Sequence, residues 1–473
     1  MKVFIKIIFF CGFSFHLNAQ NYFNRLYDYD CADTVYNFAT TSVELDSGSF
    51  LIAGQRVLPD YSALHYFKIN AAGDTLFNKK YPKLNCSFYT SIGNSLIKCF
   101  DGNVAHCGAY YDSAGDENAL LVKLNIGGDT LWTRKYGGTS FDNSNMLCQT
   151  VDSGFAIMGS TQSFGAGATD FYLVKTDKNG IFQWQQTYGT SANEECSSGQ
   201  ITLDGGFILS GHRSNVLYLV KTNSTGGLEW QQTYPGTKNY GFIKQLADSS
   251  YILTGAKNVA GSGDQACMLK LNKNGGVIWQ KTYGGSGTGI DLFYGDAVIL
   301  SDYSIVISGL TMLGSIPIGM LVKTDSAGNQ QWLRTYYANP GYDNYIYDLK
   351  QTSDGGFLMT GSGGIASQDA WVVRVDSAGC EIANCNVGIT EADDLNERLL
   401  LYPNPSIDKI TVTIADKDLR NYEFSVVNVL GQLQNSFIKD SIMDISCLPS
   451  GVYFVSAVSK DQSKRFLEKF IKK

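Results

Sequence analysis

Short apolar runs, each bounded by polar turns rich in glycine, fill most of this chain. The stretch around Asp152 shows the order best. Met146–Val151 predicts one strand, and Asp152-Ser153-Gly154 a turn. Phe155–Ser160 predicts a second strand, Gln162–Asp170 a polar loop and Phe171–Thr176 a third strand. Asp177-Lys178-Asn179-Gly180 is a tight turn before a fourth strand, Ile181–Tyr188. The pattern occurs seven times, about fifty residues apart, with an apolar run ending at Gly54, Gly108, Gly159, Gly211, Gly255, Gly309 and Gly361. A basic residue follows in step: Lys68, Lys123, Lys175, Lys221, Lys270, Lys323 and Arg374. A repeat of this length made only of short strands predicts an all-β chain, a seven-bladed β-propeller of four-stranded blades.

Every copy has Asn or Asp three residues before a turn glycine, from Asn70/Gly73 through Asp177/Gly180 to Asp376/Gly379. The glycine suits a left-handed backbone, and the Asx side chain caps the turn. Four residues on stands Phe77, Trp132, Trp184, Trp230, Trp279 or Trp332, and four further a Tyr, from Tyr81 to Tyr336. We read the tryptophans as wedges between neighbouring blades, because a residue serving every copy equally is structural. The seventh copy has Ala383 at this position and no Tyr. Phe23-Asn24-Arg25-Leu26-Tyr27 matches Trp132-Thr133-Arg134-Lys135-Tyr136, so the N-terminal segment is expected to supply the missing outer strand. The repeated lysines are expected on a solvated strand or in ion pairs between blades.

Charge adds an exclusion. The net charge is −7 with 17% charged residues, which gives no basic stripe for nucleic acid. Residues 1–19 read as a signal peptide: Lys2 and Lys6, an apolar core from Ile7 to Phe15, and Leu17-Asn18-Ala19 before the cut. No later run is long enough to span a membrane, so an exported chain is expected. Cys380 and Cys385 are placed for a local disulfide, and Cys31, Cys86 and Cys196 fall in equivalent loops. No zinc-type Cys/His spacing appears, so neither metal nor cofactor is expected.

The repeats occupy 20–385, and the polar stretch 386–397 reads as a linker. Residues 398–473 change pattern to six or seven short strands, the signature of a small β-sandwich. This module carries Tyr402-Pro403-Asn404-Pro405, Val426–Gln432 (VVNVLGQ, with Gly431), Leu448–Val455 (LPSGVYFV, with Gly451) and the terminal Lys469-Phe470-Ile471-Lys472-Lys473. It resembles the type A C-terminal sorting domain of the type IX secretion system of Bacteroidetes. That resemblance implies the type IX machinery as a partner, export across the outer membrane, and release or fixing at the cell surface. The repeats are similar to Bacteroidetes repeat proteins with a DGGF…G…LVKTD..G…W..TYGG pattern. They resemble quinoprotein propellers less closely. Asp177 and Gly180 stand one residue nearer than in that family, and its adjacent cysteine pair is missing, so its cofactor does not transfer.

Catalytic patterns are scarce. His65, His106 and His212 lie in or beside predicted strands at non-equivalent positions and read as structural. No nucleophile elbow, zinc-protease helix or phosphate loop appears. The longer connections between strands two and three, and between blades, differ from copy to copy, and variable loops are where binding resides. They hold the ligand-face candidates Asp142, Asn143, Glu194, Glu195, Asp291, Asp296, Tyr342, Asp343 and Asn344. A non-catalytic surface module binding a glycan or a protein is the leading expectation. A glycoside hydrolase using two of these acids and a purely structural surface protein are the alternatives.

Overall fold

The computed structural model describes residues 22–473 apart from 30–35, 59–60, 82–86, 91–92, 112–115, 239–240, 261–262, 285–290, 294, 340, 365–367, 382–398, 415–417, 429–432, 435–436, 440 and 461–464. The expected signal peptide and linker, and Cys31, Cys86, Cys385 and Gly431, lie outside the described residues. Among those described, strands form nine antiparallel sheets, and helix is limited to two three-residue 3-10 turns.

Seven sheets come from the repeats, six in simple chain order from an inner to an outer strand and the seventh with the chain's first strand as its outer one. Sheet 3 is typical: Asp142–Gln149, Phe155–Thr161, Asp170–Thr176 and Phe182–Tyr188. Its two middle strands are buried along their whole length, because a neighbouring sheet covers each face. That explains why they read as continuous apolar runs rather than as alternation. Sheet 2 splits its inner strand into Ser87–Thr90 and Leu96–Lys98.

The inner strands begin earlier than their hydrophobic pattern predicts. Sheet 3 pairs from Asp142, sheet 4 from Glu194 and sheet 7 from Asn344. A bulge in each, between Ser144 and Met146, Cys196 and Ser198, and Ile346 and Asp348, breaks the two-residue period and hides the first strand residues. Asp142, Asn143, Glu194, Glu195 and Asn344 are therefore strand residues, not loop residues, and Cys196 is a buried strand residue. The connections between strands two and three are also not uniformly long: Ser214-Asn215 and Gly314-Ser315 are two-residue turns.

Sheet 7 is completed by the chain's first strand. Phe23–Tyr27 pairs antiparallel with Asp369–Val375, from Phe23 opposite Arg374 to Tyr27 opposite Ala370. The Trp371 indole N–H donates to Asn24 Oδ1 at 2.6 Å, and Trp371 is buried.

Each sheet shares an apolar core with the next, and sheet 7 shares one with sheet 1 through Phe23, Tyr27, Leu358, Phe50 and Phe67. The outer-strand aromatics organise these seams. Trp132 lies against Gly180 of the following sheet, Trp184 against Gly226, Trp230 against Gly275, Trp279 against Gly328 and Trp332 against Gly379. The turn glycine thus does two jobs. It adopts positive φ, 72° at Gly180, and it leaves room for the indole face. The Tyr four residues on donates its hydroxyl to the same glycine's carbonyl: Tyr136 to Gly180, Tyr188 to Gly226, Tyr234 to Gly275, Tyr283 to Gly328, Tyr336 to Gly379 and Tyr27 to Gly73, at 2.6–2.9 Å. Tyr81 departs from this, meeting Thr133 Oγ1 at 3.0 Å.

Three of the repeated lysines depart from the expectation of solvated or inter-blade groups. Lys123, Lys175 and Lys221 are buried and pair within their own sheet, with Asp101 at 3.0 Å, Asp152 at 2.8 Å and Asp204 at 2.9 Å. Arg374 does the same with Asp354 at 2.9 Å. Each cation anchors the turn between strands one and two to strand three.

The C-terminal residues form two more four-stranded sheets. One holds Leu399–Tyr402, Lys409–Ile414, Ile442–Asp444 and Phe437–Lys439. The other holds Leu433–Gln434, Tyr422–Asn428, Gly451–Ser459 and Arg465–Lys472. Alternate residues of both, including Leu401, Val412, Val426, Val455 and Phe470, bury one shared core.

Deleting residues 22–28 exposes Trp371 and leaves the edge of sheet 7 unpaired. The expected result is a lower melting temperature for the whole repeat region, read by calorimetry. Tyr188→Phe leaves the Gly226 carbonyl without its donor and is expected to cost about 1–3 kcal/mol in chemical denaturation.

Candidate functional site

The acids at the start of the inner strands hold loops in place. Asp142 is fully buried. It accepts from Gly138 N at 2.7 Å and Ser163 Oγ at 2.6 Å, and from the Thr161 hydroxyl. Glu194, also fully buried, accepts from Thr190 Oγ1 at 2.7 Å and Arg213 Nε at 2.7 Å. Asn344 accepts from Ala338 N at 2.8 Å. Each side chain ties down the connection arriving from the previous sheet. The glycine after the latch tyrosine makes room for it: a methyl group on Gly137 would crowd Asp142, one on Gly189 would overlap Asp170 and crowd Glu194, and one on Gly284 would overlap Asp291. Asp170, buried in the same seam as Glu194, accepts from Ala166 N at 3.0 Å and Gly167 N at 3.1 Å.

The remaining candidates divide. Asp291 is buried, and its backbone N–H donates to Asp264 O at 2.8 Å. Asn143 accepts from Ser160 N at 3.0 Å. Glu195 is exposed, takes a hydrogen bond from Asn193 Nδ2 at 2.8 Å and faces His212 Nε2 at 3.7 Å. Tyr342 and Asp343 lie exposed in the loop before sheet 7, where Asp343 accepts from Tyr345 OH at 3.3 Å.

Asp296 belongs to a different assembly. Its carboxylate meets Lys244 Nζ at 2.9 Å, the Asn94 amide, and Lys350 Nζ at 3.9 Å. Lys350 also reaches Asn94 Oδ1 at 2.6 Å and Asp348 at 2.5 Å, and Asp348 accepts from Ser42 N at 2.8 Å. Ser42, Asn94, Lys244, Asp296 and Asp348–Lys350 come from sheets 1, 2, 5, 6 and 7. The inner ends of five sheets therefore meet in one polar network, with two carboxylates matched by two ammonium groups. Asp348 is fully buried and Asp296 nearly so, and burying such charges is tolerable only when they are paired and hydrogen-bonded. The repeat pattern marks them only in part: Lys244 and Lys350 share one position, seven residues before Tyr251 and Phe357.

Two titrating features stand out. Burial works against the charged form of Asp152 and Asp204. The hydrogen bonds from Lys175 and Thr150 to the first, and from Thr202 and Lys221 to the second, win and hold both carboxyls down at about 2. Glu117 is pushed the other way. Its burial at the start of strand three of sheet 2, aided by the charge of Asp142, raises it to about 7. His106 is fully buried against Tyr66 OH at 2.9 Å, and burial lowers it to about 3, so it stays neutral. His65 hydrogen-bonds Asn78 through Nε2. Among the described residues, no group of three or more His, Cys, Asp or Glu could hold a metal ion. Cys380 is disulfide-bonded.

In the C-terminal module, Asn404 holds the final strand. Its Nδ2 donates to Lys469 O and its Oδ1 accepts from Ile471 N, both at 2.9 Å. Ser406 N donates to Ile471 O at 2.9 Å, and Lys473 N returns to Ser406 O at 2.8 Å. The Tyr402–Pro405 segment thus covers the free edge of Arg465–Lys472. Pro403 and Pro405 follow cis peptide bonds. Gly451 opens the neighbouring strand opposite Lys472, whose aliphatic part is buried.

Residues 400–473 match the family described as secretion system C-terminal sorting domain. A sorting domain of the type IX system indicates export to the cell surface or the extracellular space, and interaction with the type IX machinery. No curated protein matches this chain. Among solved structures it is similar to a protein of unknown function from Bacteroides caccae, at 13% identity over 52% of this chain and 81% of that one, TM-score 0.34. One from Dyadobacter fermentans aligns at 9% identity over 72% and 95%, TM-score 0.45. PorZ, described as an essential surface component of the type IX secretion system of Porphyromonas gingivalis, aligns at 10% identity over 92% and 75%, TM-score 0.32. At these TM-scores the likenesses carry no argument.

Lys350→Met removes the ammonium group from the buried Asp348 and is expected to destabilise by about 3–5 kcal/mol in urea titration. Asp152 and Asp204 have folded values below the unfolded value of about 3.9, so their contribution is present above that pH and is lost as pH falls through about 2. The melting-temperature gap between the native chain and Asp204→Asn is therefore expected to be largest near about pH 5 and to close toward about pH 2.

Proposed function

We propose that this chain is an exported surface protein whose seven sheets are the blades of one β-propeller, closed by the N-terminal strand and built to bind a glycan or a protein without chemistry on it. The signal peptide and the sorting module at 398–473 give it an export route from end to end. The central network carries the propeller reading: side chains from sheets 1, 2, 5, 6 and 7 meet each other, as inner strands around one axis do. The employment of the acids supports binding over catalysis. Asp142 and Glu194 are consumed by loop hydrogen bonds, and Asp296 and Asp348 by lysines, whereas a glycosidase needs one free carboxylate and one protonated partner.

Glycoside hydrolysis is the second reading, favoured by Glu117. A carboxyl raised to about 7 beside the carboxylate of Asp142 has the character of a general acid.

A glycan array with product analysis separates the two. Retention without cleavage is the expected outcome. Cleavage that disappears in Glu117→Gln selects the hydrolase, and no retention of any glycan or surface protein defeats binding altogether. Deleting residues 398–473 is expected to leave the protein inside the cell envelope, as read by fractionation and surface labelling.

A further inference from the structure

An open groove of about 740 Å³ lies between sheets 5 and 6. Its floor is the outer strand of sheet 5, Gln280 to Tyr283. One wall is Lys257, Asn258, Val259 and Ala260, and the other is the turn Gly328-Asn329-Gln330 of sheet 6. Strands two and three of sheet 5, Tyr251–Val259 and Gly263–Leu271, are nine residues each against seven in sheet 3, and this longer hairpin raises the first wall.

The lining contains two lysines and no carboxylate, in a chain of net charge −7. The hydrogen bonds of both lysines go to amides: Lys257 Nζ to Gln280 Oε1 at 3.4 Å and Lys281 Nζ to Asn329 Oδ1 at 2.6 Å. Asp264 and Asp325, on the two sheets that flank the groove, are already engaged. Asp264 takes Lys238 at 2.6 Å, and Asp325 caps its own turn through Asn329 N at 2.8 Å, with Lys281 beyond it. Gln280 Nε2 is buried beside the Cys267 thiol. A smaller groove of about 300 Å³ occupies the same place between sheets 3 and 4, with Gln186 where Lys281 stands and Gly227 where Asn329 stands. The cleft comes with the repeat. Arg25, Lys79, Arg134 and Arg334 stand at the Lys281 position in other copies, but Arg25 and Lys79 are paired with Asp74 and Asp129, at the place where Lys281 meets the neutral Asn329.

We propose that this groove binds an acidic saccharide, carboxylated or sulfated. Lys257 and Lys281 sit on its anionic groups, as compact point charges that need no fixed fork geometry. The amides of Gln280, Asn329 and Gln330 and the Thr282 hydroxyl both donate and accept, matching sugar hydroxyls, which also do both. The volume is in the range of ligand sites. The inference rests on the glycan-binding reading above and names the ligand class and place for it.

The test is calorimetric titration of the full chain with an oligogalacturonide, a sulfated galactan oligosaccharide and a neutral galactan of equal length. The native chain is expected to bind one of the acidic ligands, more weakly as salt rises. Lys257→Gln with Lys281→Gln is expected to lose about tenfold or more in affinity, while Lys79→Gln, a lysine on the outer strand of sheet 1, retains it. Melting curves report whether the variants fold, and Lys257→Glu alone is expected to abolish binding in a folded chain. Undiminished binding by the double variant, or a preference for the neutral ligand, overturns the acidic groove and leaves glycan binding standing elsewhere. Binding of no glycan by the native chain overturns both.

Discussion

The structure depends on how one sheet is held to the next. At each seam an outer-strand aromatic lies flat on a glycine turn of the following sheet, and in six of the seven a tyrosine hydroxyl seals that turn's carbonyl. The aromatic supplies buried area and the hydroxyl supplies direction, so the pair sets both spacing and rotation between sheets. Glycine is required there twice over, by its positive φ and by the ring above it. Once this contact is repeated, the middle strands are covered on both faces and the inner ends converge.

Convergence creates the second problem. Inner strands crowd polar groups toward a centre where each must find a partner. The network of Asn94, Lys244, Asp296, Asp348 and Lys350 answers it with matched charges drawn from different sheets. At the strand starts, Asp142, Glu194 and Asn344 answer it locally by capping incoming loops. Acids that look available along the sequence are thus largely occupied. The groove between sheets 5 and 6 differs because its polar groups are in excess of their partners.

Much of the fold was legible in the chain. The turn glycines, the aromatics four residues before the strand-end tyrosines, and the match of Phe23–Tyr27 to Trp132–Tyr136 are periodic, and periodicity survives without knowledge of contacts. What was not legible is what bulges and seams decide. A single bulge between Ser144 and Met146 shifted Asp142 from an apparent loop into a strand. The partner of Lys175 is Asp152, twenty-three residues away in its own sheet. Whether such a cation reaches its own sheet or the next is set by side-chain direction, which spacing does not reveal. Lys244 and Lys350 share a position in only two of the seven copies, and Glu117 stands in one, so a pattern built on repetition discards them. The sorting module was the easiest part, since Asn404 and the final strand act through contacts that require those residues in that order.

The pairing of Phe23 with Arg374 also sets a timetable. The first strand to leave the ribosome waits for the third strand of the seventh repeat before it has a partner, so the most distant pair in sequence is the one that completes the structure. Contacts of this separation are slow to form. Six of the repeat sheets are each built from one continuous stretch of chain, whereas sheet 7 alone joins segments from the two ends of the repeats, so its outer seam is the one that local folding cannot supply.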